Sequence, residues 1–353
     1  MTPLSSDGTI MERNSPRFNR EVALKEHGMP SHRLLGALLG SMAFALIGMV
    51  SHVKAERMVA LASIFPLTSV VEQIGGERWQ VFTLIPAGAS AHTYEPTPEQ
   101  VRLMAQARVF FQIGLGLEFW LEKLVQAAQN PTMQRIDLAE AIEPLPSPSA
   151  ELTPRAQQHR QRDHAQHDEH GSKEAGKHEH KHTGLDPHYW LDPLRMQQVV
   201  KRIEQVLVEI DPDHATSYNQ RAERLRRDLE ALHQEIQGQT QGLQERRFIA
   251  MHSAWTYFAA RYNLQQMAVI EPFPGREPSP RYLAELAKLM RREGVKAVII
   301  EPQLSTSAAQ SLARETGARV GMLDPTGGPG VPGRDDYFAL MRYNVAELVK
   351  LLR

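Results

Sequence analysis

The sequence predicts an α/β protein with two β/α halves and one long connecting helix. Short β-branched and aromatic runs alternate with amphipathic stretches from residue 58 onward, this rhythm occurs twice, and a charged amphipathic segment separates the two occurrences. Such alternation is typical of parallel sheets covered by helices on both faces, which bind ligands beyond the carboxyl ends of their strands. A chain of 353 residues also exceeds what one core usually supports, so we expect two domains.

Each half contains four runs that we interpret as strands, because they are short, apolar and separated by helical patterns. The strands of the first half are predicted at residues 58–64, 79–85, 107–113 and 135–138. Those of the second half are predicted at residues 247–252, 266–272, 296–302 and 318–323.

The segment between the halves predicts a long amphipathic helix. Its apolar residues recur at helical spacing among many charges, at Leu225, Leu229, Leu232 and Ile236. We expect this helix to begin near Pro212, with Asp211 as the N-cap, and to end near Gly238 or Gly242. Roughly 27 residues would span about 40 Å, which is long enough to run along both halves as a stiff connector.

The amino-terminal region predicts export. A strongly apolar run at residues 34–50 follows His32 and Arg33, and Val53 and Ala55 have the small-residue spacing of a cleavage site. We interpret residues 1–55 as a signal peptide region, with Met29 as the true start; the alternative is an uncleaved membrane anchor.

Charge and cysteine content exclude several classes of protein. The formal net charge of −1 gives no long-range field, so we expect no nucleic acid partner. The absence of cysteine excludes disulfides and a thioether lipid anchor. An exported protein without an anchor is expected in a periplasm, and hence in a Gram-negative type of envelope.

A polar loop interrupts the first half at residues 147–184. It is too poor in apolar residues to bury a core, so we predict a disordered loop. Its histidines are His159, His164, His167, His170, His178, His180 and His182. They make the loop a candidate for metal binding, although a merely solvating linker is the alternative.

Three other histidines lie where an α/β fold binds ligands. His92 follows the second strand in a Pro/Gly loop, just before a helix that Thr97 is predicted to cap. His188 precedes a helix in "LDPHYWLDP", and His252 ends the first strand of the second half, with Ser253 as a candidate cap. Because they come from both halves, a cleft between the halves would gather them around one ion.

The remaining histidines, His214 and His233, lie in the charged helical segment between the halves. A histidine among many charged residues on a helix is usually part of a solvated face, so we expect neither of them at a metal site.

Five segments, in order, resemble the signatures of the cluster A-I metal-binding proteins of ABC importers, and most closely their zinc-uptake, ZnuA-like branch. The segments are "GASAHTYEPTPEQ", "DPHYWLDP", "FIAMHSAWTYFAARY", "IIEPQ" and "GMLDPTGG". The resemblance covers nearly all of the chain after the signal peptide. It implies two (β/α)4 lobes with parallel sheets, joined by a long rigid helix, with the metal site between the lobes.

The predicted strands and helices divide the chain. We expect an N-terminal lobe at residues 56–192, helices including the inter-lobe helix at 193–244, and a C-terminal lobe at 245–353.

The matching positions imply that His92, His188 and His252 bind the metal. Asp324 matches a carboxylate ligand of manganese-binding relatives, so it is a candidate fourth ligand or a partner of the ligands; water is the alternative. Manganese and iron branches carry glutamate in place of His252, whereas three imidazoles suit Zn²⁺, Cu²⁺ or Ni²⁺ better than Mn²⁺. Affinity is expected to fall below roughly pH 6.5, because only neutral imidazole binds metal.

The expected function is therefore that of a monomeric periplasmic solute-binding protein that carries Zn²⁺ to an ABC permease with a cytoplasmic ATPase. The histidine-rich loop would add weaker zinc sites, because binding there requires ordering of the chain. A manganese or iron importer component is one alternative. A zinc hydrolase is another, although no HExxH occurs and Glu95 or Glu301 could serve as a general base only by accident of geometry. An adhesin with the same fold is a third.

Overall fold

The computed structural model describes residues 57–148 and 184–353. The signal peptide region at 1–55, with Met29, lies outside these residues. So do the seven histidines of the loop, His159, His164, His167, His170, His178, His180 and His182. The predictions for these segments stay predictions. Within the described ranges, no helix is long and apolar enough to cross a bilayer.

The first lobe is a parallel four-stranded sheet with helices on both sides. Its elements are β1 (Met58–Ala62), α1 (Phe65–Gly75), β2 (Trp79–Thr83), α2 (Pro98–Gln106), β3 (Val109–Gln112), α3 (Leu121–Ala128) and β4 (Gln134–Asp137). The strand order is β2-β1-β3-β4. Central β1 is apolar along its length because it is covered on both faces. Thr97 caps α2 through a capping box with Gln100, as predicted.

Two helices connect the lobes, α4 (Pro193–Ile210) and α5 (Ala215–Gln241). The predicted apolar stripe of α5 is buried, and this helix packs against α4, against α1 of the first lobe and against the helix Tyr337–Leu352 of the second lobe. The long connector therefore lies along both lobes.

The start of α5 differs from the prediction. A 3₁₀ turn at Pro212–His214 precedes the helix, and the Asp211 side chain makes no cap bond to it. That carboxylate instead accepts hydrogen bonds from the Tyr218 hydroxyl at 2.6 Å and from Arg78 Nε at 3.3 Å. A buried hydroxyl and a cation bind the carboxylate in place of backbone N–H groups, so Asp211 joins the first lobe to the connector.

The prediction of a solvated His233 is wrong. Its side chain is buried on α5, and Nδ1 lies 3.3 Å from the Tyr262 hydroxyl. His233 lies on the apolar stripe of the helix, one residue after Leu232. The many charged residues around it in the sequence led to the prediction of a solvated face. His214 is partly exposed and lies 3.0 Å from Asp211.

The second lobe repeats the first. Its elements are β5 (Arg247–Ala250), α6 (Thr256–Arg261), β6 (Gln265–Val269), α7 (Pro280–Glu293), β7 (Ala297–Ile300), α8 (Ser307–Thr316), β8 (Arg319–Met322) and α9 (Tyr337–Leu352). The order β6-β5-β7-β8 is the same order as in the first lobe, and all strands are parallel. The predicted α/β fold with two lobes is confirmed.

Candidate metal centre

Three histidines meet where the carboxyl ends of the two sheets face each other. His92 lies in the loop between β2 and α2, His188 begins the 3₁₀ turn before α4, and His252 directly follows β5. The prediction for the helix after His252 is wrong in detail, because a 3₁₀ turn at Ser253–Trp255 comes first and α6 begins at Thr256, with Trp255 at the N-cap position. The sequence thus places three imidazoles at one edge through strand ends and helix starts.

The three imidazoles converge through their Nε2 atoms. His188 Nε2 lies 3.1 Å from His92 Nε2 and 3.3 Å from His252 Nε2. Each histidine offers one ring nitrogen within 4.8 Å of the others, and no other described residue belongs to this group. A tetrahedral ion bound at about 2.0 Å holds its nitrogen ligands about 3.3 Å apart, so the spacing fits an ion of the size of zinc.

Two buried carboxylates determine which ring nitrogens face the ion. Asp186 Oδ1 lies 2.8 Å from His188 Nδ1, and Glu301 Oε2 lies 2.8 Å from His252 Nδ1. A carboxylate that accepts from Nδ1–H leaves Nε2 as the deprotonated atom with its lone pair. The lone pairs of His188 and His252 then point into the same space. A cation between them removes the repulsion, which a hydrogen bond between these two atoms cannot do.

The carboxylates also change the proton affinity of the site. Burial lowers the pKa of His252, but the charge of Glu301 and the contact with it, with the charges of Asp186 and Glu271, raise it more. The resulting pKa lies above the ordinary value of 6.5. Burial raises the pKa of Glu271, although the Gly275 N–H donates to this carboxylate at 3.0 Å. The cation therefore competes with a proton held more firmly than on a free histidine.

Asp324 lies outside the group of converging atoms. Its Oδ1 accepts from Gln303 Nε2 at 2.7 Å and from the backbone N–H groups of Thr326 and Gly327, and its Oδ2 accepts from Arg334 Nη1 at 3.0 Å. Both oxygens thus accept hydrogen bonds from donors on their own loop and on the loop that follows β7. Direct coordination by Asp324 stays a prediction.

Two cavities adjoin the converging nitrogens. The smaller has a volume of about 20 Å³, which is the size of an ion or a water, and His92, His188, His252, Glu301, Gln303 and Thr326 are among its lining residues. The larger has a volume of about 320 Å³, and its lining residues include the same three histidines with Leu115 and Phe273. An ion can approach the imidazoles through the larger cavity.

Buried contacts tie the lobes together beside the site. Trp190 Nε1 donates to the carbonyl of Pro325 at 2.7 Å, and the Tyr337 hydroxyl donates to the carbonyl of Trp190 at 2.8 Å. Arg261 of α6 donates hydrogen bonds to both carboxylate oxygens of Asp192, with Nη2 2.7 Å from Oδ2. The side chain of Asp192 is fully buried. These bonds hold the imidazoles in place before an ion arrives.

Sequence reasoning missed Asp186 and Glu301 as partners of the ligands. Asp186 lies two residues before His188, and Glu301 directly follows β7, the strand beside β5. A carboxylate at the end of one strand beside a histidine at the end of its neighbour is a signal that was available in the sequence, once the strand order was known.

The family described as "Zinc-uptake complex component A periplasmic" matches residues 61–351. The chain belongs to this family. A crystal structure of ZnuA is 32% identical, covers 84% of this chain and 100% of its own, and has a TM-score of 0.68. A deletion mutant of ZnuA with zinc bound is 31% identical, covers 84% of this chain and 98% of its own, and has the same TM-score of 0.68.

Relatives of this ZnuA-family chain are named for different metals. The manganese-binding lipoprotein MntA of Halalkalibacterium halodurans is 27% identical over 83% of this chain and 88% of its own length. The zinc-binding protein AdcA of Streptococcus pyogenes is 26% identical over 83% of this chain and 55% of its own length, so the chain spans about half of AdcA. This family supplies metal-binding components of ABC metal importers, and its members are solute-binding proteins rather than enzymes, as predicted.

Proposed function

We propose that this protein captures Zn²⁺ in the periplasm and delivers it to an ABC permease powered by a cytoplasmic ATPase. His92, His188 and His252 are the proposed ligands. The observation that carries the proposal is the convergence of Nε2 lone pairs whose Nδ1 atoms face Asp186 and Glu301. A neutral three-nitrogen shell of this kind favours a borderline cation.

Charge balance supports a divalent ion. Asp186 and Glu301 are each at most 1% exposed and carry two negative charges beside the imidazoles. A bound ion of charge +2 compensates both carboxylates, whereas without an ion their charges raise the pKa of His252. Zinc loading should therefore release protons and depend on pH.

Manganese is the second candidate. The match to MntA covers 83% of this chain and 88% of MntA's own length, and Asp324 lies on the loop after β8, at the edge where the site forms. An oxygen-rich shell would suit Mn²⁺. The pairing of Asp324 with Arg334 favours zinc, because it keeps that carboxylate from the ion.

A competition titration tests the proposal. The protein without its signal peptide is titrated with Zn²⁺ in the presence of a chromophoric chelator, with and without excess Mn²⁺. The proposal expects one tight zinc site that millimolar Mn²⁺ does not displace. A site that Mn²⁺ fills in preference to Zn²⁺ would contradict it and favour the manganese importer.

A further inference from the structure

Gln303 lines the small cavity beside the three histidines, and its buried side-chain oxygen has no hydrogen-bond partner among the described residues. We propose that Gln303 completes the metal site: its side-chain oxygen faces the fourth position of the ion, and the pair Asp324–Arg334 aims it there. This inference rests on the proposed function. It makes Gln303, rather than Asp324, the residue that determines the fourth contact.

Hydrogen bonds determine the orientation of the Gln303 amide. Its Nε2 donates to Asp324 Oδ1 at 2.7 Å and to Thr326 Oγ1 at 2.8 Å. An ionised carboxylate only accepts hydrogen bonds, so the nitrogen rather than the oxygen of the amide must face Asp324. The oxygen is left on the other side of the amide group.

That oxygen is buried and makes no hydrogen bond to any described residue. A buried acceptor without a donor costs free energy, so a partner is expected. Gln303 lines the small cavity together with the three imidazoles. A cation in this cavity is a partner that satisfies the amide oxygen and the imidazole lone pairs at once.

The Asp324–Arg334 pair is built as a support for the amide. Arg334 Nη1 lies 3.0 Å from Asp324 Oδ2, and its guanidinium lies over the ring of Tyr343, 4.7 Å from the centroid. The backbone of Asp324 exchanges hydrogen bonds with the Asn344 side chain of α9, both at 2.7 Å. The carboxylate is thus held from three directions and neutralised by a cation of its own.

Selectivity follows from the kind of oxygen that the ion meets. With Gln303, the shell is three imidazoles and a neutral amide oxygen, whereas Asp324 would add a carboxylate. Carboxylate oxygen favours the harder Mn²⁺, and imidazole suits Zn²⁺. By binding Asp324 itself, Arg334 keeps the shell neutral and thereby favours zinc.

The test compares Gln303→Met and Asp324→Asn with the control Gln310→Met. Gln310 is an exposed glutamine of α8 whose amide contacts Thr306, so its loss leaves the cleft intact. Each protein is titrated with Zn²⁺ against a chelator and loaded with Co²⁺, whose visible absorption reports the number and kind of ligands. Melting temperatures check that each variant folds.

We expect Gln303→Met to lower zinc affinity about 10–100-fold and to change the Co²⁺ spectrum, with the control unchanged. Asp324→Asn should weaken binding less and keep the Co²⁺ band positions, because Thr326 still holds Gln303. Two results would overturn the inference: Gln303→Met matching the control in both readouts, or Asp324→Asn losing zinc as completely as His252→Ala does. Failure of the proposed function would appear separately, as weak or manganese-selective binding by the unsubstituted protein.

Discussion

The two lobes have the same strand order but use the residues at their strand ends differently. In the first lobe, Glu118 follows β3 and accepts from the backbone N–H groups of Ile113 and Gly114, at 2.8 and 3.1 Å. In the second lobe, Glu301 follows the equivalent strand β7 and faces His252 at 2.8 Å. One buried carboxylate stabilises its own loop, and the other orients a proposed metal ligand.

A glutamine and an aspartate repeat this contrast. In the first lobe, Gln112 donates to Asp137 at 3.0 Å, and its amide oxygen accepts from Arg135 at 2.6 Å. In the second lobe, Gln303 donates to Asp324, and no residue of the described ranges donates to its oxygen. Topology therefore brings similar polar groups to both sheet edges, and the presence or absence of a local partner decides which of them can serve an ion.

Removal of a ligand should have the largest effect. His252→Ala takes away one of three converging nitrogens and leaves Glu301 buried without its imidazole. We expect zinc affinity to fall by more than the roughly 100-fold typical of outer partners, in a chelator competition. His214→Ala, which removes a partly exposed histidine, is the control. Similar affinities for the two variants would place the tight site elsewhere.

Exchange of Glu118 or Glu301 for glutamine tests the difference between the two lobes. Glu301→Gln should lower zinc affinity about 10–100-fold, because it no longer orients His252. Glu118→Gln should leave zinc affinity nearly unchanged but lower the free energy of unfolding by about 1–3 kcal/mol, since an amide N–H then faces a backbone N–H. Chelator competition and urea unfolding measure the two effects. Equal losses of zinc affinity would mean that both carboxylates serve the metal.

The pH dependence should reflect the raised pKa of His252. A proton and the metal compete for this imidazole, so zinc affinity is expected to fall as the pH drops through a value above 6.5. Sequence reasoning, which used the ordinary pKa, placed that loss lower. Titrations between about pH 4.5 and pH 8.5 measure it, over a range of about two units on either side of the pKa of an ordinary histidine.

The free energy of unfolding of the metal-free protein should change with pH in the opposite direction to the zinc affinity. A folded-state pKa above the unfolded value stabilises the fold below the unfolded pKa, and that contribution is lost as the pH rises through the folded value.

In Glu301→Gln the loss of zinc affinity should shift to lower pH, because the main group that raises the pKa of His252 is gone. An unshifted profile would assign the dependence to another group.

Deletion of residues 159–182 should have the smallest effect on the tight site. The deletion removes seven histidines of the polar loop and none of His92, His188 and His252. We expect the number of weak zinc equivalents in calorimetry to fall while the tight site stays within about twofold. Loss of the tight site with this segment would mean that the loop, and not the cleft, binds the ion.

Much of the fold was predictable because the hydrophobic periodicity agrees with the cap and turn residues along the chain. Strand runs, the Thr97 capping box and the apolar stripe of α5 all depend on local patterns. The N-cap role of Asp211 was not predictable, since its actual partners Arg78 and Tyr218 come from distant parts of the chain. Local rules fail where a side chain has a stronger partner elsewhere.

The site was predictable in its ligands and less so in their surroundings. His92, His188 and His252 lie at strand ends or helix starts, which the sequence displays directly. The functions of Glu301 and Gln303 depend on which strands are neighbours and on which amide atom faces Asp324, and neither is written in the local sequence. Pairing between strands and hydrogen-bond geometry supplied that information.

The most direct measurement is a crystal structure of the zinc-loaded protein with data collected at the zinc absorption edge. The structure predicts one strong anomalous peak bonded to Nε2 of His92, His188 and His252, with the Gln303 oxygen toward its fourth side. A peak bonded through Nδ1 atoms, or located away from these three imidazoles, would contradict the assignment of the cleft as the zinc site.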